Sequence, residues 1–205
     1  AIRKTLQEIV KEIGCQWNYS ETHGLFLQRL LQHKGRKICD VFSLNYDVVL
    51  EATLENLCIP YIDGFRGAEN AYFDSNLFDI PSEVPLFRLY KIHGSINWVK
   101  DEKEIIRHKP SYPDNQVDER QVIYPCEQKY FLTQYGIYEV LMNLFRKRLR
   151  DRRPNNKLVI VGYSFSDNHI NEAIIDAICD TGNNLTVYAF VGEEKKPDDQ
   201  IKRLE

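Results

Sequence analysis

The sequence predicts an α/β fold, a doubly wound, mostly parallel sheet with a small inserted subdomain. Three observations carry this. Short apolar runs of strand length (37–43, 86–92, 157–161 and 185–191) alternate with segments of helical period (47–57, 138–149 and 168–179). Strands separated by helices argue for parallel pairing with helices packed on the sheet. Three of the runs also stop abruptly at polar clusters: Phe42-Ser43-Leu44-Asn45-Tyr46-Asp47, Lys91-Ile92-His93-Gly94-Ser95 and Val161-Gly162-Tyr163-Ser164-Phe165-Ser166-Asp167. In a parallel sheet such strand ends line the ligand crevice, so the three clusters read as one site.

Taken in order, Ile2, Leu6, Ile9, Val10 and Ile13 recur at helical spacing, and Gly14 can end that helix. A second helix is expected over 24–32, then the strand over 37–43 and a helix over 47–57. Residues 58–62 read as a short extended segment and 64–85 as loop. After the strand over 86–92, residues 96–106 suit a hairpin turning at Asp101-Glu102-Lys103. The polar stretch 107–120, with Pro110 and Pro113, reads as a surface excursion, and 121–124 as a weak strand stopped by Pro125. The piece from about 64 to 135 breaks the alternation and is the inserted subdomain. Beyond it come a strong amphipathic helix over 138–149, a buried-type strand over 157–161, a helix over 168–179 and a last strand over 185–191. The tail from Glu193 is charged.

Composition limits the function classes. Hydrophobic residues make up 43% of the 205 positions, enough for a core. Lys plus Arg number 27 against 30 Asp plus Glu, a formal charge of −3, which gives no argument for nucleic acid or an anionic membrane. No apolar run approaches the roughly 20 residues that span a bilayer, and the start Ala1-Ile2-Arg3-Lys4 is not a secretory signal. The five cysteines (Cys15, Cys39, Cys58, Cys126, Cys179) are scattered, without a Cys-x-x-Cys pair, and read as free thiols of the cytoplasm. The basic cluster Arg146-Lys147-Arg148 with Arg150, Arg152 and Arg153 suits a solvated helix C-terminus.

Each polar cluster has a plain and a functional reading. Asn45 and Asp47 can be turn and cap residues, or an amide and a carboxylate facing a ligand at the sheet edge. His93, the histidine at a strand end, can be a solvated loop residue or a general base near neutral pH. Gly162 permits close backbone approach, and the next helix offers free N–H groups to a phosphate, while Ser166 or Asp167 can cap that helix. His169 reads as a surface residue.

Together these residues carry a resemblance. Ser43-Leu44-Asn45-Tyr46-Asp47 resembles the Thr-Gln-Asn-Ile-Asp motif of sirtuins, His93-Gly94 their His-Gly motif, and Gly162-Tyr163-Ser164-Phe165 their Gly-Thr-Ser motif. The wording is similar to that of the NAD-hydrolysing sirtuin-like domains of bacterial antiphage defence proteins. The resemblance spans Ile38 to about Val191. It implies a Rossmann-like, sirtuin-type fold and an NAD site that cleaves the nicotinamide–ribose bond. It implies Asn45 and His93 as catalytic residues and Ser43, Asn45, Asp47, Gly162, Ser164 and Ser166 as NAD contacts. Asn45 would orient water or the ribose hydroxyls, Asp47 would seat the nicotinamide ribose, and His93 would be the general base. Gly162 and Ser164 would hold ribose and phosphate.

Sirtuin deacylases carry a zinc module built on two Cys-x-x-Cys pairs. Between Gly94 and Gly136 this chain has one cysteine, Cys126, too few for a closed tetrahedral site, so no zinc is expected. The strand 122–125 also differs from the deacylases' Phe-Gly-Glu motif. Both departures favour NAD hydrolysis; a protein deacylase or ADP-ribosyltransferase, and a silent NAD- or ADP-ribose-binding regulatory module, are the alternatives. The family's glycine-rich loop, Gly-Ala-Gly and then a Ser, has no counterpart before Asn45, and the expectation is a fragment lacking the first βα unit. A homo-oligomer, or a fused or partner sensing domain, is expected besides NAD itself.

Overall fold

The computed structural model describes residues 23–32, 38–68, 71–100, 106–108, 120–122, 136–152 and 154–190. The expected helix over 2–13, the turn at 101–103, most of the polar stretch 107–120, Pro125, Cys15, Cys126 and the charged tail lie outside them. The chain divides into two compact units, Ala1–Leu141 and Met142–Glu205.

In the first unit, helix α1 (Leu25–Gln32) leads to β1 (Ile38–Ser43), α2 (Val49–Asn56), β2 (Tyr61–Ile62) and β5 (Leu86–Lys91). β5 lies between β1 and β2 and is parallel to both. Between strands 2 and 5 the chain forms β3 (Phe65–Arg66), β4 (Ala71–Phe73) and a 3-10 turn (Ser75–Asp79). β3 and β4 join β6 (Gly94–Lys100), β7 (Ile106–His108) and β8 (Arg120–Val122) in an antiparallel sheet of order β3-β4-β7-β6-β8. The mixed α/β class with a parallel sheet is therefore as expected. Residues 64–85, expected as loop, instead contain two strands and a helical turn. These strands are two and three residues long, too short for alternation to register; β3 is held by pairing with β4, and β4 by pairing with β7.

The core of this unit is built at the crossing of helix and sheet. Leu27 of α1, Leu54 of α2 and Phe87 of β5 are buried together, with Leu30, Leu31, Val41, Leu50 and Ile59 against them. Tyr90 is buried between the rings of Phe42 and Phe78, each with its centroid 4.3 Å away, and its hydroxyl donates to Asp40 Oδ1 at 2.9 Å. That hydrogen bond satisfies the one polar atom of a fully buried ring.

Helix α3 (Gly136–Leu149) crosses the division between the units. The second unit holds its later turns, β9 (Lys157–Val161), α4 (Asn168–Cys179) and β10 (Thr186–Phe190). β9 and β10 pair in parallel, Lys157 opposite Thr186 and Val161 opposite Phe190. The unbroken apolar run of β9 predicts burial on both faces. Alternation instead sends Leu158 and Ile160 to one face and Val159 and Val161 to the other, and Val159 and Val161 are exposed. Two asparagine amides close the helix ends: Asn156 Nδ2 donates to the Arg148 and Leu149 carbonyls, and Asn183 Nδ2 to those of Leu149 and Ala177. These carbonyls belong to the group that a helix end leaves without an internal partner.

Candidate functional site

The parallel register of β1 and β5 places Ser43 opposite Lys91, so the two strands end side by side. β1 runs into the loop 44–48. β5 runs into the two-residue turn Ile92-His93, after which Gly94, at φ +84°, opens β6. Gly94 lets the chain leave the parallel sheet for the antiparallel one in a single step, since its left-handed backbone disfavours a side chain. His93 therefore sits at the junction of two sheets. It is 2% exposed, not solvated.

Loop and turn are sutured by main-chain atoms. Ile92 N–H donates to Ser43 O at 3.0 Å, and Ile96 N–H donates to Tyr46 O at 3.0 Å. Ser95 Oγ also donates to Tyr46 O, at 3.2 Å, across 49 positions of sequence. Ser43 is buried, and its hydroxyl accepts from Asn45 N–H at 3.2 Å. The Tyr46 and His93 rings lie 6.4 Å apart between centroids. Asn45 itself is exposed.

Asp47 uses one carboxylate oxygen locally: Oδ1 accepts from Val49 N–H at 3.0 Å, the first N–H of α2. Helix α2 thus starts at Val49, two residues later than the apolar period suggests, because the preceding loop is held to the β5–β6 turn. Two residues without a role in the sequence-based reading meet here. Lys91 Nζ donates to Asp47 O and lies 3.4 Å from Glu51 Oε1. Burial pushes the Glu51 carboxyl above its usual range, with the Lys91 charge opposing the shift. A lysine closing a strand, and a glutamate four positions after Asp47, are the signals that could have found them.

In the second unit, the loop after β9 begins at Gly162, exposed and at φ +66°, with open space where a Cβ would be. Ser164 Oγ and Ser166 Oγ are 2.9 Å apart, and both residues are exposed. Between them Phe165 is buried at φ +58°. The buried Asn171 of α4 holds this shape. Its Nδ2 donates to Phe165 O at 2.8 Å, which leaves its Oδ1 to accept from the Tyr163 hydroxyl at 2.9 Å. Burial, then the Asp167 charge, push the Tyr163 hydroxyl well above its ordinary range, so it stays a donor. Asp167 is the N-cap of α4 but makes no side-chain cap bond, and Ser166 pairs with Ser164, so the side-chain cap expected there is absent. His169, expected at the surface, is buried in the first turn of α4 beside Ile170 and Asn171.

The structure thus gathers Ser43, Asn45, Asp47 and His93 at one pair of strand ends in the first unit. It gathers Gly162, Ser164 and Ser166 in one loop of the second. The first group offers an amide, a carboxylate and an imidazole; the second offers two hydroxyls and a helix start. Among the described residues, no group of three His, Cys, Asp or Glu is placed to hold a metal ion, and no helix is long and apolar enough to cross a membrane.

No match to the chain was found among curated proteins. A family model described as the SIR2-like domain matches residues 40–205, well over half of the chain and all of the site residues above, and the chain accordingly belongs to the SIR2-like family, which is tied in general to NAD.

Proposed function

We propose that this SIR2-like domain hydrolyses NAD to nicotinamide and ADP-ribose and acts in antiphage defence by depleting NAD. The observation that supports it most is the suture of the Asn45 loop to the His93 turn through Tyr46 O and Ile96 N–H. It keeps an exposed amide and a buried imidazole at adjoining strand ends, where a parallel sheet receives its ligand.

The bond between C1′ of the ribose and the pyridinium nitrogen breaks, and its electron pair leaves with neutral nicotinamide. The sugar passes through an oxocarbenium-like state, so fixed dipoles matter more than a strong nucleophile. Water adds to C1′ and gives its proton to His93. Asn45 orients the water or the ribose hydroxyls, and Asp47 and Ser43 seat the ribose. Gly162, Ser164 and Ser166 contact ribose and phosphate. The single cysteine between Gly94 and Gly136 favours water over an acyl-peptide acceptor, since a deacylase's zinc module needs four thiols. Among the described residues Cys39, Cys58 and Cys179 form no disulfide, which suits the cytoplasm.

The test is nicotinamide release from NAD by the full-length protein. His93→Ala is expected to lower the rate by about 10²–10⁴-fold, the usual worth of a general base, and Asn45→Ala to abolish it with the fold intact. Unchanged turnover in both variants would sink the assignment. Release that depends on an acetylated peptide would point to a deacylase instead, and NAD binding without release to a sensor.

A further inference from the structure

Lys91 closes β5 with 2% exposure. An ammonium taken out of water must be paired and hydrogen-bonded. Its partners are Asp47 O, in the loop 44–48, and Glu51 Oε1, in the first turn of α2. Glu51 is 8% exposed, and its second oxygen, Oε2, is buried with no hydrogen-bond partner. Such a pair is a poor source of net stability, because two apolar residues of similar volume hold a fold as well or better. An apolar pair, however, cannot grip the Asp47 carbonyl.

The placement gives that grip a purpose. Lys91 is two residues before His93, and Asp47 is two residues after Asn45. The Lys91–Asp47 bond therefore ties the loop at one end, as the Tyr46 bonds to Ile96 and Ser95 tie it at the middle. We propose that Lys91, buttressed by Glu51, is a positioning residue of the site: it fixes the Asn45–Asp47 loop against the His93 turn without touching substrate. This rests on the reading that Asn45 and His93 carry nicotinamide release. A loop displaced by an ångström costs about 10²-fold in rate.

Single apolar replacements leave one buried charge uncompensated and are expected to unfold the domain. The informative variant is the charge-free double, Lys91→Met with Glu51→Leu, in the full-length protein. It is expected to fold with an unaltered circular dichroism spectrum. Amide exchange at Ile96 should accelerate about tenfold or more, while Leu89 within β5 stays protected. The kcat for nicotinamide release should fall about 10- to 100-fold, with KM changed less than about threefold. Glu51→Gln keeps an acceptor for Lys91 and is the milder second variant. It should shift Ile96 exchange and kcat in the same direction by a few-fold. Unaltered Ile96 exchange in either folded variant overturns the positioning role whatever the activity, as does a wild-type kcat alongside accelerated exchange. A wild-type protein that releases no nicotinamide overturns the activity reading instead, and the exchange comparison still decides whether Lys91 holds the loop.

Discussion

Asn171 shows how a single amide fixes a loop that the sequence only outlines. Its Nδ2 and Oδ1 are both spent, on Phe165 O and on the Tyr163 hydroxyl, and the residue is buried. Asn171→Ala strands the buried Phe165 carbonyl and leaves the half-buried Tyr163 hydroxyl only the Asp167 carbonyl, 3.1 Å away, and is expected to destabilise the protein by about 1–3 kcal/mol. Urea denaturation measures this, and a loss within experimental error would mean the loop is held by other means. The candidate residues that are legible, Ser43, Asn45, Asp47, His93 and Gly162, share one property: each sits where an apolar strand gives way to polar residues. Asn171 and Glu51 lack that mark, and Lys91, which has it, reads in the sequence as an ordinary strand-end cation. Their roles depend on partners that periodicity cannot report, 6 and 8 positions away for Asn171 and 44 positions away for Lys91 and the carbonyl of Asp47.

At the scale of elements, helix α2 ends in a Schellman motif. Ile59 N–H donates to Leu54 O at 2.9 Å and Cys58 N–H to Glu55 O at 3.0 Å, with Cys58 in the left-handed region at φ +52°. Glycine usually fills that position, and its absence is why the sequence marks the helix end only by the fading of its apolar period. Cys58 is exposed, so little packing is lost on replacement. A left-handed residue with a Cβ carries a strain of about 1–2 kcal/mol, part of which the greater chain entropy of glycine offsets. Cys58→Gly is therefore expected to stabilise the protein by about 0.5–1 kcal/mol, seen as a higher urea midpoint at constant slope. A lower midpoint would show that the thiol packs usefully. Long elements such as α3, α4 and β5 are legible because their periods repeat. β2 is caught within the short extended segment 58–62, but β3 and β4 are not legible, since two or three residues hold no period and their strand geometry comes from the neighbour they pair with.

At the scale of the whole molecule, the order of strands and helices announces the parallel arrangement, while of the antiparallel sheet over 65–122 only the β6–β7 hairpin and the weak strand β8 are legible, and the pairings of β3 and β4 are reported by no local pattern. The expectation of no zinc belongs to the same scale. The five cysteines are spread from Cys15 to Cys179, and the segment where deacylases carry their zinc module has Cys126 alone. A structural zinc contributes on the order of 10 kcal/mol to folding, and a chain of this size loses about 2–4 °C of melting temperature per kcal/mol. Stripping such an ion would lower the midpoint by tens of degrees. For this protein, prolonged chelation is expected to leave both the melting midpoint and nicotinamide release unchanged. A large downward shift, reversed by added zinc, would mean that Cys126 and other side chains form a metal site. The preference for water over an acyl-peptide acceptor would then lose its main support.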